Sequence, residues 1–227
     1  MLEVLLIDHG LSSAVDPRRV DELVAQLRDH GFVVAGQFVP EPLVAELLAE
    51  AESHERRREM RQAGVGRGER RTIASGERRV ESRWLEGASQ AERRLLAIAE
   101  TLRLAINRQL YLGLFDLEAQ QLHYPPGGFY ARHLDSLAGA RNRIVSLVLY
   151  LDAGWGEADG GELVIWRAGE TADTVPAAIV RPEAGTLVLM LSEEIPHEVR
   201  PARRSRHAVA GWFRVNASTG GRVDPAG

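Results

Sequence analysis

The sequence predicts an α+β fold, with helices in the first half of the chain and a β-sandwich or barrel in the second. Three observations carry that expectation. Apolar residues recur at helical spacing in three stretches before residue 111. From Phe115 onward the chain breaks into short apolar or alternating runs. Those runs are separated by PPGG, GWGEADGG and PEAG, which are turn sequences. A jelly roll is among the arrangements that such regularly spaced strands form.

The first helix is expected over 16–30, where Val20, Leu23, Val24 and Leu27 share a face, Asp16 can cap the start and Gly31 the end. FVVAGQFV, residues 32–39, reads as a strand closed by Pro40. Residues 41–62 read as a second helix with Leu43, Leu47 and Leu48 on its apolar face, and 88–110 as a third. Between them the chain is rich in Gly, Arg and Ser. Residues 56–83 hold ten arginines against Glu59, Glu69, Glu77 and Glu81. A run of this kind is a solvated face or a mobile loop, here over about 64–83, or else a basic flap that meets a substrate. Gly64, Gly66, Gly68 and Gly76 would make it cheap to rearrange, with Trp84 as an aromatic anchor at its far end.

The strands then follow: FDLEAQQLHY (115–124), GFYARHLD (128–135), RIVSLVLYLD (143–152), GELVIW (161–166), AAIVRP (177–182), GTLVLMLS (185–192), HEVRP (197–201) and HAVAGWFRV (207–215). One domain over 1–227 results, with 1–112 as mainly helical support and 113–216 as the β core. Its 227 residues suffice for a sizeable core.

Composition narrows the function classes. The net charge of −4 gives no global attraction to nucleic acid or an anionic membrane. All 28 basic residues are arginines, which reads as compositional bias. With no cysteine, thiolate metal sites, Fe–S clusters and cysteine nucleophiles are excluded. MLEVLLIDHG lacks the basic flank of a signal peptide, and no stretch reaches membrane-spanning length, so a cytoplasmic protein is expected.

The chemistry-bearing residues begin in FYARHLDS, residues 129–136. On one strand His133 and Asp135 would face the same way. Such a pair can bind a metal, share a proton or solvate a surface. Among the other histidines, His9, His30 and His54 read as surface residues, His123 precedes a turn, and His207 lies near the chain's end. His197 differs: it follows the strongly apolar GTLVLMLS, a position at a barrel mouth. Two histidines and one carboxylate leave three octahedral positions open, the facial arrangement of non-haem Fe(II) oxygenases. Arg206, nine residues further on, would be costly inside an apolar barrel unless it met an anion, and Tyr150 could join it there.

YPPGGFYARHLDS, RIVSLVLYLD, GGELVIW, IPHEVRP and RHAVAGWF together resemble the 2-oxoglutarate- and Fe(II)-dependent dioxygenases, above all the hypoxia-factor-type prolyl hydroxylases and their small bacterial relatives, over about residues 120–215. The resemblance implies a double-stranded β-helix, a cupin-like jelly roll buttressed by the N-terminal helices. It implies Fe(II) on His133, Asp135 and His197, and 2-oxoglutarate with its distal carboxylate on Arg206 and Tyr150 and its chelating end near Tyr124. Tyr130 and Trp212 would wall the substrate entrance, with Arg143 at its rim. Dioxygen would be the second co-substrate and ascorbate a reductant. The reaction implied is hydroxylation of a prolyl residue in a protein, with elongation factor Tu a target by family analogy. Ala210 departs from the threonine that close relatives often carry near the iron-bound water, so an oxygen-sensing role does not carry over.

Two rivals use the same residues. A Zn(II) hydrolase would need a further general base and leaves Arg206 and Tyr150 idle. A binding barrel with a vestigial site fits poorly with an intact triad. Direct nucleic-acid binding would rest on the arginine run alone, with no array of stacking aromatics.

Overall fold

The computed structural model of the protein describes residues 15–62, 76–136 and 142–216. The apolar run at the start, residues 63–75 of the arginine-rich segment and the glycine-rich tail lie outside these. Helix α1 (Pro17–His30) begins where Asp16 accepts a hydrogen bond from the Arg18 amide at 2.9 Å, and it ends at Gly31, whose φ of 76° suits a residue without a Cβ. Strand β1 is Phe32–Ala35, and a turn occupies the rest of the stretch expected to be extended.

Helix α2 (Glu41–Arg56) stops well before residue 62. After Ala51 its inward positions are no longer apolar, and Arg58 turns the chain with a φ of 57° so that Met60 can fold back into the core. Arg61–Gln62 (β2) and Glu81–Trp84 (β3) then pair as strands, so the far end of the supposed loop is ordered sheet. Helix α3 (Gln90–Leu110) is capped by Ser89, which accepts from the Glu92 amide at 2.9 Å.

The remaining strands are β4 (Asp116–Tyr124), β5 (Tyr130–His133), β6 (Arg143–Tyr150), β7 (Leu163–Ile165), β8 (Ala178–Val180), β9 (Leu187–Leu191), β10 (His197–Val199) and β11 (Arg206–Arg214). They form two antiparallel sheets, ordered β1-β9-β6-β11-β4-β3-β2 and β5-β10-β7-β8. This is the double-stranded β-helix, with helices covering the outer face of the larger sheet.

Strand alternation divides the core in two. Val145, Leu149, Leu187, Leu189, Val209 and Phe213 point outward and pack with the buried faces of α1, α2 and α3. Tyr150, Val188, Met190 and Ala208 point inward, toward Leu163, Ile165 and Val199 of the smaller sheet. With both faces covered, β9 can be apolar throughout, and that is why GTLVLMLS shows no alternation. Among the described residues no helix is long and apolar enough to cross a membrane.

Candidate active site

One cavity opens between the two sheets, and its wall includes His133, Asp135, His197, Tyr124, Arg206 and Trp212. His133 ends β5 and His197 begins β10, and the two are cross-strand partners. The ladder therefore sets their rings side by side, with centroids 4.3 Å apart. Asp135 is not on that strand. It sits in a bend two residues past the end of β5, so the turn, and not strand alternation, returns its carboxylate to the histidines.

Asp135 Oδ1 is 3.4 Å from His133 Nε2, and Oδ2 is 3.6 Å from His197 Nε2. One ligand-type atom from each residue lies within 4.8 Å of the others. Each imidazole is oriented by its second nitrogen. Nδ1 of His133 donates to the Ala131 carbonyl at 2.8 Å, and Nδ1 of His197 to the Ile195 carbonyl at 3.0 Å. A carbonyl only accepts, so each Nδ1 carries a proton, and Nε2 is the ring atom turned toward the carboxylate. Burial, helped by the nearby His133, brings His197 down to about 4 and keeps its ring neutral near pH 7. Burial alone would raise Asp135. The two imidazoles and the Ser146 hydroxyl outweigh it and hold the carboxyl well below its usual range. Ser146 is itself paired with Ser192, oxygen to oxygen at 2.9 Å, beneath the site. Sequence reasoning missed these two serines, which are small and unremarkable within apolar strands.

Deeper in the cavity Arg206 is 1% exposed, and no carboxylate among the described residues lies within ion-pairing distance of it. Its guanidinium lies 4.7 Å from the centre of the Tyr124 ring and 5.0 Å from that of Tyr150. Arg206 Nε and the Tyr150 hydroxyl are buried with no hydrogen-bond partner. Burial pushes the Tyr150 phenol up to about 12, although the Arg206 charge works against it, so it remains a neutral donor. A buried cation beside an unused hydroxyl is a costly arrangement that an incoming anion would relieve.

At the mouth Tyr130 stacks on the His133 ring with centroids 3.5 Å apart, and the Arg78 guanidinium lies over the Tyr130 ring, 5.1 Å from its centre. Trp212 lines the cavity, and its Nε1 is buried without a partner. Arg143 is not part of the lining. It stacks 3.8 Å from the Trp212 ring centre while its guanidinium binds Glu118 at 2.6 Å, and so it backs the tryptophan. Ala210 is on the wall, with only a methyl to offer.

His54, read from sequence as a surface residue, is half-buried, with Nδ1 2.7 Å from Gln121 Oε1. His123 and His207 are also buried, on the opposite face of the large sheet from the cavity. Neither contributes to the cavity lining.

Comparison with known proteins identifies the family. The model of the 2OG-Fe(II) oxygenase superfamily matches residues 119–214. Egl nine homolog 1 of Rattus norvegicus is 33% identical over 93 residues, covering 40% of this chain and 26% of that protein. The human protein matches to the same degree over 21% of its length. The matched part therefore spans about a quarter of these curated relatives. The crystal structure of a Pseudomonas putida prolyl-4-hydroxylase is 39% identical, covers 87% of this chain and 100% of its own, and superposes with a TM-score of 0.77. A Trichoplax adhaerens prolyl hydroxylase, solved with a peptide fragment of hypoxia inducible factor, shares the fold at 22% identity and a TM-score of 0.73, covering 87% of this chain and 89% of its own. Identity of 39% across the whole of a solved prolyl-4-hydroxylase places the chain in the prolyl hydroxylase family of 2-oxoglutarate- and Fe(II)-dependent oxygenases.

Proposed function

We propose that this chain hydroxylates a prolyl residue within a protein substrate, consuming dioxygen and 2-oxoglutarate and releasing succinate and carbon dioxide. The observation that carries this is the meeting, in one cavity, of a two-histidine, one-carboxylate set with a buried arginine that has no anion. The family uses Fe(II), 2-oxoglutarate and dioxygen. The donor set suits iron: two neutral imidazole nitrogens and one carboxylate leave room for co-substrates. The orphaned Arg206 Nε and Tyr150 hydroxyl suit a dicarboxylate.

On this reading His133, Asp135 and His197 hold Fe(II), which with 2-oxoglutarate supplies the oxidising chemistry. The protein's own residues do the rest. The Nδ1 hydrogen bonds orient both rings so that Nε2 faces the metal position. Arg206 and Tyr150 take the distal carboxylate, and Tyr124, packed on Arg206, borders the chelating end. Tyr130 and Trp212 wall the entrance, with Arg143 bracing Trp212. The apolar wall of Leu122, Val148 and Ala208 excludes water.

A Zn(II) hydrolase is disfavoured because Asp135 is the only carboxylate among the described lining residues, which leaves no second one to act as base. The substrate class proposed is a proline-bearing protein loop in the cytoplasm, with elongation factor Tu the first candidate and ascorbate as reductant. The excess positive charge of the arginine-rich segment supports an acidic partner. The test is succinate release with Fe(II), with and without air, followed by a search for a one-oxygen mass gain in proline-containing protein loops and in free proline. Oxygen-dependent release and a gain on protein loops are expected. Efficient turnover of free proline, or release that Zn(II) sustains without oxygen, would overturn the reading.

A further inference from the structure

Behind the cavity, between helix α2 and the outer face of the large sheet, lies a second cluster of titratable groups. His207 follows Arg206 on β11, so alternation turns its ring away from the cavity, toward α2. Its cross-strand partner on β4 is His123, and the two rings stack with centroids 5.1 Å apart and planes at 16°. Charged groups reach this pair from every neighbouring element: Glu55 from the end of α2, Glu81 from β3, and Asp152 from the segment after β6. His207 Nδ1 is 3.1 Å from Asp152 Oδ1, and Nε2 is 2.9 Å from Glu55 Oε2. His123 Nδ1 is 3.0 Å from Glu81 Oε2, while Nε2 is 3.3 Å from Glu55 Oε1 and 3.2 Å from Ser205 Oγ.

Glu55, His123 and His207 bring three ligand-type atoms within 4.8 Å. They do not suit one ion, which must lie near the plane of every ring it binds, because two nearly parallel rings stacked one above the other share no such point. The arrangement suits a proton better. Ionised carboxylates only accept, so His207, flanked by two of them, carries a hydrogen on both nitrogens.

Asp152 does a second thing. The β6–β11 ladder ends at the Tyr150–Ala208 pair. Just beyond it, Asp152 Oδ2 accepts the His207 backbone N–H at 2.5 Å, and the Leu151 amide donates to the His207 carbonyl at 3.2 Å. The carboxylate thus continues the strand junction to the level of Arg206, one residue before His207, with Tyr150 two residues before Asp152.

We propose that His207 is a positioning residue for the co-substrate site: its ring, clamped between Asp152 and Glu55, fixes the spacing of Arg206 and Tyr150 from the far side of the sheet and so sets the affinity for 2-oxoglutarate. The role rests on Arg206 and Tyr150 being the anion site. Burial alone would lower the His207 pKa, but the hydrogen bonds to Asp152 and Glu55 outweigh it and hold it above the ordinary histidine value. A raised folded value means the clamp is whole at and below the ordinary histidine pKa and is lost as pH rises through the folded one.

The test measures 2-oxoglutarate binding at saturating Mn(II), and Mn(II) binding separately, from about pH 6 to 9, where only groups such as histidine titrate. Wild-type affinity for 2-oxoglutarate is expected to hold at the acid end and weaken toward the alkaline end. His207→Phe is expected to bind 2-oxoglutarate about tenfold more weakly, the scale of a lost supporting partner, with a flat pH profile and Mn(II) affinity within about twofold of wild type. If that variant does not fold, Asp152→Asn is expected to show the same split. An unchanged 2-oxoglutarate affinity, a retained pH profile, or an equal loss of Mn(II) binding would overturn the positioning role. A wild-type protein that binds Mn(II) but no 2-oxoglutarate would instead sink the anion site, and the positioning role with it.

Discussion

The Arg206 guanidinium lies 5.0 Å from the centre of the Tyr150 ring, and both side chains are buried between the sheets. They project from β11 and β6, neighbouring strands whose ladder ends at the Tyr150–Ala208 pair, just short of Arg206. Arg206→Met keeps the bulk and removes the fork. Losing hydrogen bonds to a charged group costs roughly 1.5–3 kcal/mol, which corresponds to about 10- to 150-fold weaker 2-oxoglutarate binding. Mn(II) affinity is expected to stay near wild type, since the arginine is not part of the metal set. Titration calorimetry with Mn(II) and 2-oxoglutarate added in turn separates the two, and an unchanged co-substrate affinity would place the anion elsewhere.

On the proposed reading, metal and co-substrate should stabilise the fold, because the three ligand-type atoms of His133, Asp135 and His197 come together only in the assembled barrel. At a hundredfold excess over the dissociation constant the gain is about 2.7 kcal/mol, or roughly 5–10 °C for a domain of this size. Mn(II) with 2-oxoglutarate should raise the melting temperature of the wild type by that amount and leave His197→Ala unmoved. His197 contributes one cavity-wall ring, so the variant should keep the far-UV circular dichroism of the wild type. A shift in His197→Ala equal to that of the wild type would mean the third ligand is another residue.

Glu92 makes a prediction about the fold. Its carboxylate is 1% exposed and accepts from the Glu86 amide at 3.2 Å, the Ala88 amide at 3.0 Å and Arg83 at 3.1 Å. It therefore ties β3 to the start of α3, where a negative charge also suits the helix dipole. Glu92→Ala strands two amides and the half-buried Arg83, a loss of about 2–4 kcal/mol. Glu92→Gln keeps acceptor oxygen and should lose less. Urea denaturation of the two variants tests the ranking, and equal midpoints would mean the charge alone matters.

The fold class was legible because helical spacing is local: the apolar face of α1 can be read off about four turns of sequence, flanked by its caps. Boundaries that depend on distant partners were not. Helix α2 ends early because Met60 is needed in the core, and β3 forms because β4 offers it an edge. The same division holds at the site. His133, Asp135 and His197 stand out by type and order, yet the bend that carries Asp135 back is invisible to a strand-periodicity argument. The cluster of Glu55, His123 and His207 was hidden for a deeper reason. Its members are 68 and 84 residues apart in sequence, and only the pairing of β4 with β11 beneath α2 brings them together.

Trp212 supports the last prediction, which separates substrate from co-substrate. It projects from β11 on the same face as Arg206, Ala208 and Ala210, three steps of two nearer the mouth. Arg143 stacks on its outer surface and is pinned by Glu118, which also binds Arg214 at 3.1 Å, so the indole is held before any substrate arrives. Its Nε1 is buried without a partner. A substrate backbone carbonyl entering beside it would satisfy that donor, whereas 2-oxoglutarate, bound deeper at Arg206, would not reach it. Trp212→Phe keeps an aromatic wall and deletes the donor. It should lower kcat/KM for a protein substrate by roughly 5- to 10-fold, the value of one neutral hydrogen bond, with no change in Mn(II) or 2-oxoglutarate affinity. Trp212→Ala also removes the surface on which Arg143 stacks, and it should cost more on protein while still sparing much of the substrate-free succinate release. Measuring succinate with and without a proline-bearing protein loop distinguishes these outcomes. Equal losses in both assays would mean that Trp212 supports the cavity as a whole and not its entrance.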